Sequence, residues 1–145
     1  MRLVQLTRDQ AEAAARVHRA AFDERLPWLS GLHTPDEDFA YWRDRVFAEC
    51  QVWGAFEGDA LVGVIAFRDA FVDQLYVLPG HQGRGAGGGL LDIARRGQSQ
   101  VRLWTFQKNA GARRFYERKG FAAVELTDGS GNEEREPDVL YEWTA

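Results

Sequence analysis

A single cysteine, Cys50, occurs in the 145 residues, so no intrachain disulfide forms and no zinc cluster built on several cysteines is available. Packing alone must hold the fold. No apolar run approaches the roughly 18 residues that span a bilayer, and Met1-Arg2-Leu3-Val4-Gln5-Leu6-Thr7 lacks the apolar stretch of a secretory leader. A cytoplasmic protein with no membrane partner is the expectation. Positive charge is not in excess either: 18 Lys and Arg stand against 22 Asp and Glu, a net charge of −4. No global field attracts a polyanion, and no nucleic acid partner is expected. Metal-ligand groupings are also missing. His33 and His81 lie far apart, and Asp128-Gly129-Ser130-Gly131-Asn132 departs from a calcium loop at Glu133, where Gly belongs, and at Val139, where Glu belongs. No bound metal is expected.

What the chain does have is apolar material, 45% of its residues, with five Trp, nine Phe and four Tyr. Its length fits one domain of the usual roughly 100–200 residues, so residues 1–145 read as a single core. Met1 to Leu6 suits a strand, and Thr7-Arg8-Asp9-Gln10 has the form of a capping box that starts a helix. Ala14, Val17, Ala21 and Phe22 give that helix its apolar stripe. Thr34-Pro35-Asp36-Glu37 combines an N-cap, a first-turn Pro and a capping Glu, which predicts a second helix to about Ala48 with Phe39, Trp42, Val46 and Phe47 facing inward.

From Gln51 the period changes to that of an antiparallel meander, with Val52, Gly54 to Phe56, Leu61 to Phe67 and Phe71 to Leu78 as short β runs. Pro79 stops the last of them, and glycine-rich residues 80–89 lead into a helix carrying Leu90, Leu91, Ile93 and Ala94. Val101 to Phe106 reads as a strand, Asn109 as the cap of a helix running through Arg118, and Gly120 as its C-terminal stop. Two strands follow, Phe121 to Leu126 and Val139 to Trp143, around a polar loop from Thr127 to Pro137. The order is β-α-α-β-β-β-α-β-α-β-β, an α/β (α+β) domain.

The segment Gln82-Gly83-Arg84-Gly85-Ala86-Gly87 lies between a strand and a helix, where unpaired N–H groups and the helix dipole favour an anion such as phosphate. Glycines let the backbone approach the phosphate oxygens and adopt positive φ. Gln82 and Arg84 could add side-chain donors. A dinucleotide reading of Gly83, Gly85 and Gly88 fails on context, because no Asp or Glu lies between Asp92 and Glu117, where a ribose-binding acid about 20 residues on would fall. A Walker loop fails because no Gly-Lys-Ser or Gly-Lys-Thr is present.

The run Leu75-Tyr76-Val77-Leu78-Pro79-Gly80-His81-Gln82-Gly83-Arg84-Gly85-Ala86-Gly87 resembles the Gln/Arg-x-x-Gly-x-Gly/Ala motif of the GCN5-related N-acetyltransferase (GNAT) superfamily. Asn109-x-x-Ala112-x-x-Phe115-Tyr116-x-x-x-Gly120-Phe121 is similar to the motif that follows it. The resemblance implies a single GNAT-type domain with a mixed, mostly antiparallel sheet of about seven strands and four helices. It implies acetyl-CoA as cosubstrate, held at the pyrophosphate by Gln82, Gly83, Arg84, Gly85, Ala86 and Gly87, and along the pantetheine by Leu75, Tyr76 and Val77. The expected reaction is direct transfer of the acetyl group to a primary amine in a ternary complex. A non-catalytic acyl-CoA-binding module of the same fold is the alternative.

The resemblance also assigns Tyr116 as general acid to the departing thiolate, a role that suits a phenol protonated at neutral pH. Asn109 either caps its helix or also approaches the pantetheine. Asp73, on the face of Leu75 and Val77 if its strand is regular, is a candidate base or a solvent-facing carboxylate, and water could relay the proton instead. Trp28, His33 and Trp42, on the first two helices and their connection, belong to the acceptor wall or to the core. Glu133 and Glu134 in the late loop could attract a cationic small-molecule acceptor or stay solvated. Exposed edge strands in this fold make homodimer pairing an expectation.

Overall fold

A computed structural model describes residues 1–145. Strand β1 (Arg2–Gln5) runs into a 3-10 turn and helix α1 (Ala11–Arg25), started by the Gln10 side chain accepting from the Thr7 N–H at 2.9 Å. Helix α2 (Pro35–Tyr41) carries the predicted reciprocal cap: Glu37 N–H donates to Thr34 Oγ1 at 3.1 Å, and Thr34 N–H to Glu37 Oε1 at 2.7 Å. It continues through a π-helical turn, Trp42–Val46, and ends in the short turn Phe47–Glu49. The wide turn puts both Trp42 and Val46 in the core.

Strands β2 (Gln51–Glu57), β3 (Ala60–Arg68) and β4 (Phe71–Val77) form the meander. Helix α3 (Ala86–Arg95), β5 (Gln100–Phe106), α4 (Ala110–Arg118), β6 (Ala122–Leu126) and β7 (Asp138–Thr144) complete the chain. The seven strands form one sheet in the order β1-β2-β3-β4-β5-β7-β6, antiparallel except between β4 and β5. The expected fold class and element order are those observed.

Each sheet face has its own core. One cluster gathers Val62, Ile65, Leu90, Leu91, Val101, Leu103, Phe121 and Tyr141 under α3 and α4. The other joins Ala14, Val17, Trp42, Val46, Val52 and Val64 under α1 and α2. Two irregularities in β4 position the site. Ala66 pairs with Gln74 while Phe67 pairs with Val72, so Asp73 is the extra residue of a β-bulge. Beyond it, β4 and β5 separate: only Phe71 with Arg102 and Val72 with Leu103 are paired, and the strands splay from there on.

Candidate functional site

The splay leaves one edge of β4 without a β5 partner. Leu78 N–H donates to Val62 O at 2.8 Å, so on the alternating strand the peptide groups of Leu75 and Val77 point the other way, into the gap. There the Val77 carbonyl accepts from Gln82 Nε2 at 3.0 Å instead of from β5. The opposite alternation commits the backbone of Tyr76 to Val64 of β3.

A cleft of about 660 Å³ follows this gap, lined by Leu75, Val77, the glycine loop, Asn109, Phe115 and Tyr116. At its loop end Gly83 and Gly85 take φ of +77° and +92°, and Gly85 is the cap of α3, whose first N–H groups open towards the cleft. Gly87 also needs its missing side chain, because a Cβ there would meet Phe115 at 3.3 Å. Arg25, Arg114, Arg118 and Lys119 border the same cleft. Arg25 bonds Gln82 Oε1 and fills the space a Gly111 side chain would need, so it spans from the glycine loop to the start of α4.

Positively charged at one end, rich in N–H donors at the helix start and edged by unpaired strand, the cleft suits an elongated ligand with phosphates at one end and amides along its arm. Asn109 caps α4 by accepting from Ala112 N–H at 3.2 Å, and it also lines this cleft. Two candidate donors are otherwise engaged. Arg84 turns away to Glu57 Oε2 at 3.4 Å, the carboxylate that also meets His81 at 2.9 Å. Gln82 is spent on Val77 and Arg25, so at this loop it is the backbone, with Arg25 beside it, that faces an anion.

A second cleft of about 1080 Å³ opens on the α1–α2 side of the sheet. The two share Phe22, Asp73, Gln74, Tyr76, Trp104, Thr105 and Phe106, so they meet at a throat over the splay. Its wall carries Glu37, Asp38, Glu125, Glu133, Glu134 and Asp138, with Tyr41, Tyr76 and Trp104 among them. Asp38 is occupied by Arg19 through two bonds of 2.7 and 2.8 Å. His33 pairs with Glu133 at 3.0 Å, which leaves Glu134 as the unpaired acid of the late loop.

Tyr116 is buried, and its ring packs on Phe115, Phe121 and Tyr141 at centroid distances of 5.2, 5.7 and 6.0 Å. Burial alone pushes its phenol above the usual range, so the hydroxyl remains protonated. It lines the first cleft, on the donor side of the throat.

Three expectations change. The bulge puts Val72 and Leu75 against one core and turns the Asp73 carboxylate the other way, off the face of Leu75 and Val77, to Cys50 Sγ at 3.2 Å and Arg68 Nε at 3.5 Å. Trp42 is fully buried, in the inward position that the helix spacing predicts, so it belongs to the core and not to the acceptor wall. Trp28 lies outside the second cleft, its indole donating to Glu136 Oε1 at 2.8 Å and its ring under Lys108. Burial and the Asp73 carboxylate push the Cys50 thiol up to about 12, which favours the protonated thiol over the thiolate.

His18, Phe22, Arg25 and Trp104 line the clefts without a motif that marks them as site residues. His18 and Phe22, one helical turn apart on an apolar face, were the available signal. The Trp42 indole donates to His18 Nδ1 at 2.9 Å, and the ring stacks on Tyr76 at 4.3 Å. Burial, reinforced by Arg19, lowers His18 to about 4. Its ordinary value of 6.5 returns on unfolding, so the unfolded chain takes up a proton that the native state refuses. His18 therefore stabilises the fold fully above pH 6.5, and about 3 kcal/mol is lost as the pH falls to about 4. Urea titrations across this range should show a flatter acid limb for His18→Gln than for the parent protein.

A splayed sheet, a glycine loop on a helix start and two clefts meeting at the splay define an α/β domain with one elongated site on each side of the sheet, joined at a throat. A family model for the acetyltransferase (GNAT) domain matches residues 48–123, and the chain belongs to this family. It is similar to the peptidyl-lysine N-acetyltransferase YiaC of Escherichia coli (strain K12), 29% identical over 93 residues. That match spans 59% of this chain and 64% of the relative, less than two thirds of its length. In fold it is similar to apo-form YjaB from Escherichia coli, with a TM-score of 0.80 and 19% identity over 98% of this chain and 96% of that one. YncA from Salmonella typhimurium, solved with its cofactor acetyl-CoA, gives a TM-score of 0.74 and 21% identity over 99% and 93%. No helix is long and apolar enough to cross a membrane.

Proposed function

We propose that the protein transfers the acetyl group of acetyl-CoA to a primary amine by direct attack in a ternary complex. The observation that carries this reading is the throat: a donor cleft with a phosphate-binding end and an acceptor cleft with an acidic wall share the residues over the β4–β5 splay. Acetyl-CoA, when bound, supplies an activated thioester. Gly83, Gly85, Gly87 and the first N–H groups of α3 would hold its pyrophosphate, with Arg25 alongside, and the Leu75 and Val77 peptide groups its amide arm.

The Val77 N–H, directed into the gap, is the donor available to a thioester oxygen as negative charge develops there, a contribution often of roughly 3 kcal/mol. The throat brings amine and acyl donor together and shields them from bulk water. Tyr116, held protonated by its burial, delivers a proton to the leaving thiolate. With Asp73 engaged by Cys50 and Arg68, proton removal from the amine goes through water in the acidic cleft.

The acidic and aromatic wall favours a cationic small-molecule acceptor, because Glu134 and Glu125 attract an ammonium group and Tyr41 and Trp104 offer it ring faces. YiaC is named a peptidyl-lysine N-acetyltransferase, which makes a lysine side chain the competing acceptor. Thermal melts with acetyl-CoA, CoA, NAD and ATP test the donor. A clear rise with acetyl-CoA and none with NAD is expected by mass action. Release of CoA should then depend on added amine and be faster with small cationic amines than with lysine peptides. Binding without release under any amine would leave a non-catalytic acyl-CoA module.

A further inference from the structure

The hydrogen-bonding state of His18, at the acceptor end of the throat, is dictated by its neighbours. An indole N–H is a donor only, so with Trp42 Nε1 at 2.9 Å the His18 Nδ1 must be the acceptor and carry no proton. The remaining proton of the neutral ring therefore sits on Nε2. That nitrogen bonds no protein group, and its residue is only partly buried in the cleft wall. The ring packs edge-to-face with Phe22 and Trp42 and stacks on Tyr76, and the residue lines the second cleft, so the cleft is where Nε2–H is free to bond.

Resting on the acetyltransferase reading, we propose that His18 is a fixed hydrogen-bond donor to an oxygen of the acceptor, so that the preferred substrate carries a carbonyl or hydroxyl oxygen near its cationic amine. The neighbours support a donor and oppose a base. The only lone pair of the ring is held by Trp42, so accepting the amine's proton would require breaking that bond or turning the stacked ring. Arg19 lies beside it and disfavours a second positive charge, while Asp38, which would favour one, is bonded to Arg19 at 2.7 and 2.8 Å. The other titratable groups lining this cleft include His33, paired with Glu133, together with Glu37 from α2, Asp73 from β4 and Glu134 from the late loop. A rigid N–H opposite an acidic wall sorts amines by what sits next to the nitrogen, because a site built to donate is left unpaired by an acceptor lacking the oxygen.

The test uses the full chain labelled with nitrogen-15 at histidine and saturated with CoA, and two probes with similar amines: lysine amide, which carries a carbonyl, and cadaverine, which does not. Long-range proton–nitrogen correlations should show His18 as the Nε2–H tautomer at neutral pH. Lysine amide should shift the Nε2 resonance and cadaverine should not. His18→Ala should raise KM for lysine amide about tenfold and leave KM for cadaverine within about twofold; His18→Gln, which keeps an N–H donor on a similar reach, should recover most of the loss. An Nδ1–H tautomer, an imidazolium at neutral pH, equal shifts with both probes or no shift with either would overturn the proposal. A response of Nε2 to lysine amide without any acetylation would instead defeat the transferase reading and leave the donor standing.

Discussion

Gly85→Asp should abolish measurable binding of acetyl-CoA, weakening it by about a hundredfold or more, while the protein stays folded. Gly85 has φ of +92° and caps α3, so an Asp there accepts a strained backbone and brings a carboxylate to the place where the helix N–H groups converge. No atom lies within 4 Å of the added Cβ, so the damage is electrostatic and conformational, without a steric clash. The strain costs roughly 1–2 kcal/mol. Gly85→Ala separates the two effects, since it keeps the strain and drops the charge, and calorimetric titration should find it intermediate. Retained tight binding by a folded Gly85→Asp protein would put the phosphate site elsewhere.

Tyr116→Phe has the second largest expected effect, a fall in turnover of about tenfold or more with acyl-donor affinity nearly unchanged. The ring makes the contacts and the hydroxyl makes none to protein, so the variant keeps its packing against Phe115, Phe121 and Tyr141. Melting temperature should therefore hold, and the loss should appear in kcat. Unchanged turnover would remove Tyr116 from the mechanism.

Local chemistry made much of this legible in advance. The Thr34 cap, the meander of β2 to β4 and the strand, glycine loop and α3 succession are decided by neighbours in sequence, and they appear where the residue pattern puts them. Contacts between distant residues were not legible. Phe71-Val72-Asp73-Gln74-Leu75-Tyr76-Val77 reads as a regular strand, and only the pairing with β3 reveals the extra residue that redirects Asp73. Arg84 looked free beside the glycines, but its partner Glu57 is 27 positions away. Trp28 and Glu136 are separated by 108 positions, so neither alone suggests that the indole is held outside the acceptor cleft. His18 was invisible for the same reason: its protonation state depends on Trp42 in another helix.

The seam between β4 and β5 also has a mechanical consequence. Two residue pairs are all the strand pairing between the four-stranded half of the sheet, β1 to β4, and the three-stranded half, β5 to β7, which otherwise share the core under α3 and α4. The seam is thus the line of fewest strand bonds in the sheet. A ligand lying in the splay acts as a stitch, bonding to one half along its length and packing on the other. Occupancy should then be felt as stiffness: amide exchange slows at Leu75 and Val77, which the ligand bonds, and also along the second half of β5.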